Sequence, residues 1–103
     1  MDAVLRALAE PRRQEILRLI WADELTAGQV AAHFDLSRPN ISKHLRVLRE
    51  SGLAEERREG TRRLYRANPE RVAEARAFLE SFWDQNLAAI KASAEADAKR
   101  ETS

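Results

Sequence analysis

Apolar residues recur at helical spacing along most of this chain and abandon it only over residues 53–67. Asp2 is placed to cap a first helix ending at Ala9, with Val4, Leu5 and Leu8 on one face. Pro11, which lacks a backbone N–H, suits the first turn of a second helix over residues 11–21. Ile16, Leu17 and Ile20 form its inward stripe, flanked by Leu19 and Trp21. Asp23 and Glu24 break the pattern. Thr26-Ala27-Gly28-Gln29 then fits a capping box, with Leu25 and Val30 as its hydrophobic staple. This predicts a third helix over 27–33, with Val30, Ala31 and Phe34 as core contacts.

A fourth helix follows over 38–51, opened by Ser37-Arg38-Pro39-Asn40, with Leu36 and Ile41 repeating the staple. Phe34-Asp35-Leu36 leaves room only for a tight turn between the two helices. Ile41, Leu45 and Leu48 share one side of the fourth helix, and Pro39, Ser42, Lys43 and Arg46 share the other. Gly52 is positioned as a left-handed cap. Residues 53–58 and 62–67 flank Glu59-Gly60-Thr61 as a short hairpin. Asn68 and Pro69 open a long last helix in which Val72, Ala75, Leu79, Phe82, Asn86 and Ile90 repeat at three and four. Phe78, Trp83 and Leu87 widen that stripe, which suits packing on the first helix or against a second copy. From Ala92 the residues turn small and charged, predicting a frayed end. The expected organisation is a single domain over 1–91 and a polar tail over 92–103. The fold class is mainly α with a small β-hairpin wing, a winged helix-turn-helix.

Charge sharpens this picture. The net charge is only +1, but residues 37–66 hold nine Lys/Arg against four Glu, and the rest of the chain is net acidic. A basic block coincident with a helix-turn-helix and hairpin is what a phosphate-facing surface requires. Arg38 is placed to pair with guanine edges or to clamp a phosphate. Ser42 and Lys43 share its outward face, and Arg46 lies one turn on. Asn40 suits adenine recognition or first-turn capping equally. Pro39 offers apolar contact to a thymine methyl. Arg57, Arg58, Arg62 and Arg63 supply the hairpin's cations, while His44, beside Ile41, suits a packed position. Zero cysteines exclude disulfides, thiolate metal sites and thiol catalysis. No nucleophile elbow or glycine-rich phosphate loop is present, so an enzyme is not expected. The start of the chain lacks a basic leader, and no uncharged apolar run approaches membrane-span length. The expected location is the cytoplasm.

The segments Leu8-Ala9-Glu10-Pro11-Arg12-Arg13-Gln14-Glu15-Ile16-Leu17, Leu36-Ser37-Arg38-Pro39-Asn40-Ile41-Ser42-Lys43-His44-Leu45-Arg46-Val47-Leu48-Arg49 and Ser51-Gly52-Leu53 resemble the bacterial arsenical-resistance repressor (ArsR) family. Arg57-Arg58-Glu59-Gly60-Thr61-Arg62-Arg63-Leu64-Tyr65 is similar to that family's wing. The resemblance covers residues 2–90. It implies a homodimer built from the first and last helices, binding a palindromic operator on double-stranded DNA and repressing transcription, in some members their own. The dimer contacts it suggests are Val4, Leu5, Leu8, Leu79, Phe82, Trp83, Asn86 and Ile90. Many members release DNA on binding a metal. Here Thr26 and Gly28 stand where thiolate sensors carry cysteines, and the last helix has Glu70, Glu74, Glu80 and Asp84 but no histidine. Carboxylates alone favour hard, weakly held ions. The resemblance therefore points to the metal-independent branch, with no cofactor. Two other readings are a protein-interaction module using the last helix and a small-molecule-responsive repressor with a pocket near Trp21.

Overall fold

The structure, a computed structural model, describes the backbone of residues 1–102 and the side chains of residues 1–96. Its elements are α1 (Asp2–Ala9), α2 (Pro11–Ala22), α3 (Ala27–Ala32), α4 (Arg38–Glu50), β1 (Ala54–Glu59), β2 (Arg62–Ala67) and α5 (Pro69–Thr102). They fall into two compact units, Met1–Val72 and Ala73–Ser103.

Local signals set most helix ends in the first unit. The Thr26 hydroxyl accepts from the Gln29 N–H at 3.2 Å, and Gln29 Oε1 accepts from the Thr26 N–H at 2.8 Å, the reciprocal pair that the spacing predicts. Ser37 Oγ accepts from the Asn40 N–H, and Asn68 Oδ1 accepts from the Arg71 N–H. Glu10 caps α2 ahead of Pro11. Asp2 does not cap α1. Met1 holds that position without a side-chain bond, and Asp2 lies inside the first turn, where its charge favours the helix dipole instead.

The helices converge on Ile16, Ile20, Val30, Ile41, Leu45, Leu48 and Leu53, all essentially solvent-free. α2 packs on α4 and on β2, α3 on α4, and α4 on β1. Arg12 lies over the Phe34 ring, 4.9 Å from its centre, tying α2 to the turn after α3.

The hairpin differs from its expected form by one residue. Register runs from Ala54 opposite Ala67 to Glu59 opposite Arg62, so the loop is Gly60-Thr61 alone. Gly60 has φ +63° while Thr61 keeps a negative φ, the signature of a tight turn whose twist matches its strands. Leu53 drops out of the strand because it is spent on the core, and its carbonyl accepts from the Asn68 N–H at 2.8 Å. A further strand contact comes from outside the hairpin: Leu25 exchanges both backbone bonds with Tyr65, at 3.0 and 2.8 Å. Gly52 takes φ +84°, and a Cβ there would lie 2.7 Å from Arg71 Nε.

The second unit is the remainder of α5. It is helical through 92–102, where the sequence pattern suggests fraying; Ala92, Ala94, Ala96 and Ala98 are strong helix formers. The side chains of residues 97–103, the end of the expected tail, lie outside the described residues. Phe78, Leu79, Phe82, Trp83, Leu87 and Ile90 are all exposed, Trp83 by 63% and Ile90 by 65%. Among the described residues no helix is long and apolar enough to cross a membrane.

Candidate nucleic-acid interface

Burying Ile41, Leu45 and Leu48 dictates which way the other side of α4 points. Arg38, Pro39, Asn40, Ser42, Lys43 and Arg46 are all exposed, as the helical repeat predicts. The start of α4 also borders a cleft of about 590 Å³. Thr26, Ala27 and Gly28 line it from α3, Arg38 and Ser42 from α4, and Thr61, Arg62, Arg63 and Tyr65 from the wing. The helix-turn-helix and the wing thus meet around one open, mainly polar surface. Thr26, Gly28, Thr61 and Tyr65 do not stand out as site residues in the sequence. The capping box fixed Thr26 structurally but gave no hint that the wing lies across from it.

Ion pairing separates the cations into two groups. Arg57 pairs with Glu24 and, at 3.1 Å, with Glu59. That hydrogen bond from Arg57 is the main reason the Glu24 carboxyl sits below its ordinary pKa, and the Arg57 guanidinium is raised in turn. Glu56 accepts Arg49 at 2.7 Å and faces Arg63 at 3.6 Å. Arg66 pairs with Glu55 at 2.8 Å and Arg46 with Glu50 at 3.0 Å. Among the described residues, Arg38, Lys43, Arg58 and Arg62 have no carboxylate partner. Strand parity adds to this. Arg58 sits directly opposite Arg63, whereas Arg57 sits opposite the buried Leu64. Facing like charges repel unless an anion lies between them.

The residues suggested for a dimer contact divide as well. Val4 is only 4% exposed and has almost no surface to give another chain. Leu5 and Leu8 are half-buried; Leu79, Phe82, Trp83, Asn86 and Ile90 are exposed. Asn86 Nδ2 donates to the Phe82 carbonyl of its own helix at 2.7 Å. Near Trp21 lies an apolar depression of about 450 Å³, walled by Leu8, Leu17, Trp21 and Val72, with Arg18 and Gln14 at its edge.

Within one chain, the described donors do not assemble a tight transition-metal site. The Thr26 hydroxyl is committed to the α3 cap, and Gly28 has no side chain. His33 is the C-cap of α3, while His44 lies on α4. Among the described residues no three His, Cys, Asp or Glu side chains gather closely enough to hold an ion. His44 is half-buried, as its position beside Ile41 suggests, and burial is the first cause lowering its pKa, with the neighbouring Arg13 second.

Comparison with known proteins matches this architecture. A family described as bacterial regulatory protein, arsR family, matches residues 10–56. An HTH-type transcriptional regulator of Mycobacterium tuberculosis is 36% identical over 86 residues, covering 84% of this chain and 80% of that protein. Among solved structures, an ArsR-like transcriptional regulator from Rhodococcus superposes with a TM-score of 0.78 at 35% identity, over 92% of this chain and 90% of the other. A homodimeric winged helix-turn-helix DNA-binding domain from Mycobacterium bovis gives 0.66 at 36% identity, over 84% and 80%.

Proposed function

The chain belongs to the arsR family of bacterial regulatory proteins, which are transcriptional regulators and not enzymes, and from that membership we propose that it is a homodimeric repressor acting on a palindromic operator. The observation that carries this reading is the cleft where Arg38, Ser42, Arg62 and Arg63 converge from α4 and the wing, with Arg38 and Arg62 unpaired among the described residues. A cation already neutralised by a carboxylate gains little from a phosphate. An unpaired one displaces condensed counterions from DNA and gains affinity by doing so.

In the proposed complex, α4 enters the major groove by its leading end. Arg38, Asn40 and Ser42 reach base edges there, and Pro39 lies against a thymine methyl. Lys43 and Arg46, once the latter leaves Glu50, hold phosphates that set the register. Arg58, Arg62 and Arg63 track the flanking backbone from the wing. The exposed apolar stripe of α5, from Leu79 to Ile90, supplies the twofold contact. Two copies of α4 would then meet successive major grooves, about 34–36 Å apart. Occupying a promoter in this way blocks transcription. A chain without cysteine and with its two histidines on different elements supports a metal-independent cycle.

The test is a mobility shift with DNA from upstream of the protein's own gene, alongside a shuffled duplex of equal length. Preferential binding as two chains per palindrome supports the reading; equal binding to both duplexes refutes it. The apolar depression beside Trp21 favours a second reading, a repressor released by an apolar small molecule, since its size falls within the range of ligand pockets. Thermal stabilisation by such a molecule, together with DNA release, would support that version.

A further inference from the structure

The last turn of α1 leaves carbonyl groups that no helical N–H can reach. Arg13, in the first turn of α2, satisfies two of them: Nε donates to the Ala7 carbonyl at 2.8 Å and Nη2 to the Arg6 carbonyl at 3.1 Å. The third arm of the same guanidinium leaves this frame. Nη1 lies 3.4 Å from Nδ1 of His44, at the middle of α4. Among the described residues this is the one side-chain hydrogen bond that joins α4 to α2. The buried Ile41, Leu45 and Leu48 set which face of α4 turns inward, and this one directional bond is left to refine its rotation against α2.

We propose that Arg13 is a positioning residue: acting through His44, it refines the rotation of α4 relative to the α1–α2 frame and so tunes sequence selectivity. This rests on the DNA-binding reading above. A guanidinium is suited to the task because its donors are held in one plane, so fixing two of them on α1 aims the third. The geometry also dictates the state of His44. Arginine only donates, so Nδ1 must be the acceptor and the ring proton resides on Nε2. A second proton on the ring would place its charge against Arg13, with Arg12 also repelling it and Glu10 attracting it. The depressed pKa of His44 accords with that arrangement.

Four variants of the full chain test this: Arg13→Gln, Arg13→Lys, His44→Leu and His44→Asn. The asparagine amide oxygen falls near the place of Nδ1 and keeps an acceptor for Arg13; leucine does not. Each variant is checked for dimer state and melting temperature. Affinity is then measured for the operator and for a shuffled duplex at a temperature where the variant is folded. His44→Leu, Arg13→Gln and Arg13→Lys are expected to weaken operator binding by about tenfold, the worth of one charge-assisted bond, with shuffled DNA unaffected. His44→Asn should recover most of that loss. Should Arg13→Gln fail to fold for want of its α1 contacts, the two His44 variants still decide the matter. Equal losses on both duplexes, or no loss in His44→Leu, would overturn the proposal. A wild-type chain with no operator preference would instead overturn the DNA-binding reading, and this proposal with it.

Discussion

Replacing Arg62 and Arg57 separately by alanine offers a sharp test of the wing, because the two arginines are chemically alike and electrostatically different. Arg57 is held by Glu24 and Glu59, while Arg62 has no carboxylate partner among the described residues and lines the cleft. In the proposed dimer each substitution removes two side chains. If Arg62 neutralises one phosphate per wing, Arg62→Ala should flatten the slope of log affinity against log salt by about 1.8. Between 50 and 200 mM salt, a fourfold change, that difference amounts to about 12-fold in relative affinity. Arg57→Ala should leave the slope nearly unchanged, since its charge is balanced before DNA arrives. The assay is fluorescence anisotropy with a labelled operator duplex across that salt range. Equal flattening by the two variants would show that ion pairing does not sort these arginines. No flattening by Arg62→Ala would take the wing off the DNA.

Three further outcomes follow from particular residues. Arg38→Ala should cost about 1–3 kcal/mol of operator binding and relax preference at one base position; an equal loss on shuffled DNA would mean that Arg38 holds only phosphate. Gly52→Ala forces a Cβ into a left-handed backbone at φ +84° and against Arg71, so it should destabilise the fold by about 1–2 kcal/mol, and an unchanged melting temperature in calorimetry would refute this. His44 has a folded pKa below its ordinary 6.5, so its contribution to stability is intact above pH 6.5. As the pH falls below that value the unfolded chain takes up the proton first and stability declines, levelling off below the folded pKa. Denaturant titrations should find this decline reduced in His44→Asn; identical pH profiles for the two proteins would contradict it.

The features legible in the sequence were those decided within a few residues. Thr26 with Gln29, Ser37, Asn68 with Pro69, and Gly52 each fix a helix end through a short-range bond or a backbone preference, and each stands where its spacing predicts. The outward set from Arg38 to Arg46 was legible for the same reason, because one buried stripe on a helix defines the opposite face. What escaped were choices of distant partner. Nothing in Leu25 announces Tyr65, forty residues on, and nothing in Arg13 announces His44. The wing arginines read as a uniform block in sequence, yet carboxylates from the α2–α3 connection and from β1 sort them into paired and unpaired. Asp2 and Leu53 missed by a single position, where two adjacent residues compete for one role.

The backbone exchange between Leu25 and Tyr65 bears on how the molecule would meet a duplex. A hairpin this short, left to itself, would sample many orientations and surrender that freedom on contact. Here its second strand is stitched to the residue just ahead of the Thr26 cap, and the Glu24–Arg57 pair adds a second stitch beside it. In the proposed complex, the wing and α4 would then act as the two fingers of one stiff caliper, whose gap is set before any DNA is gripped.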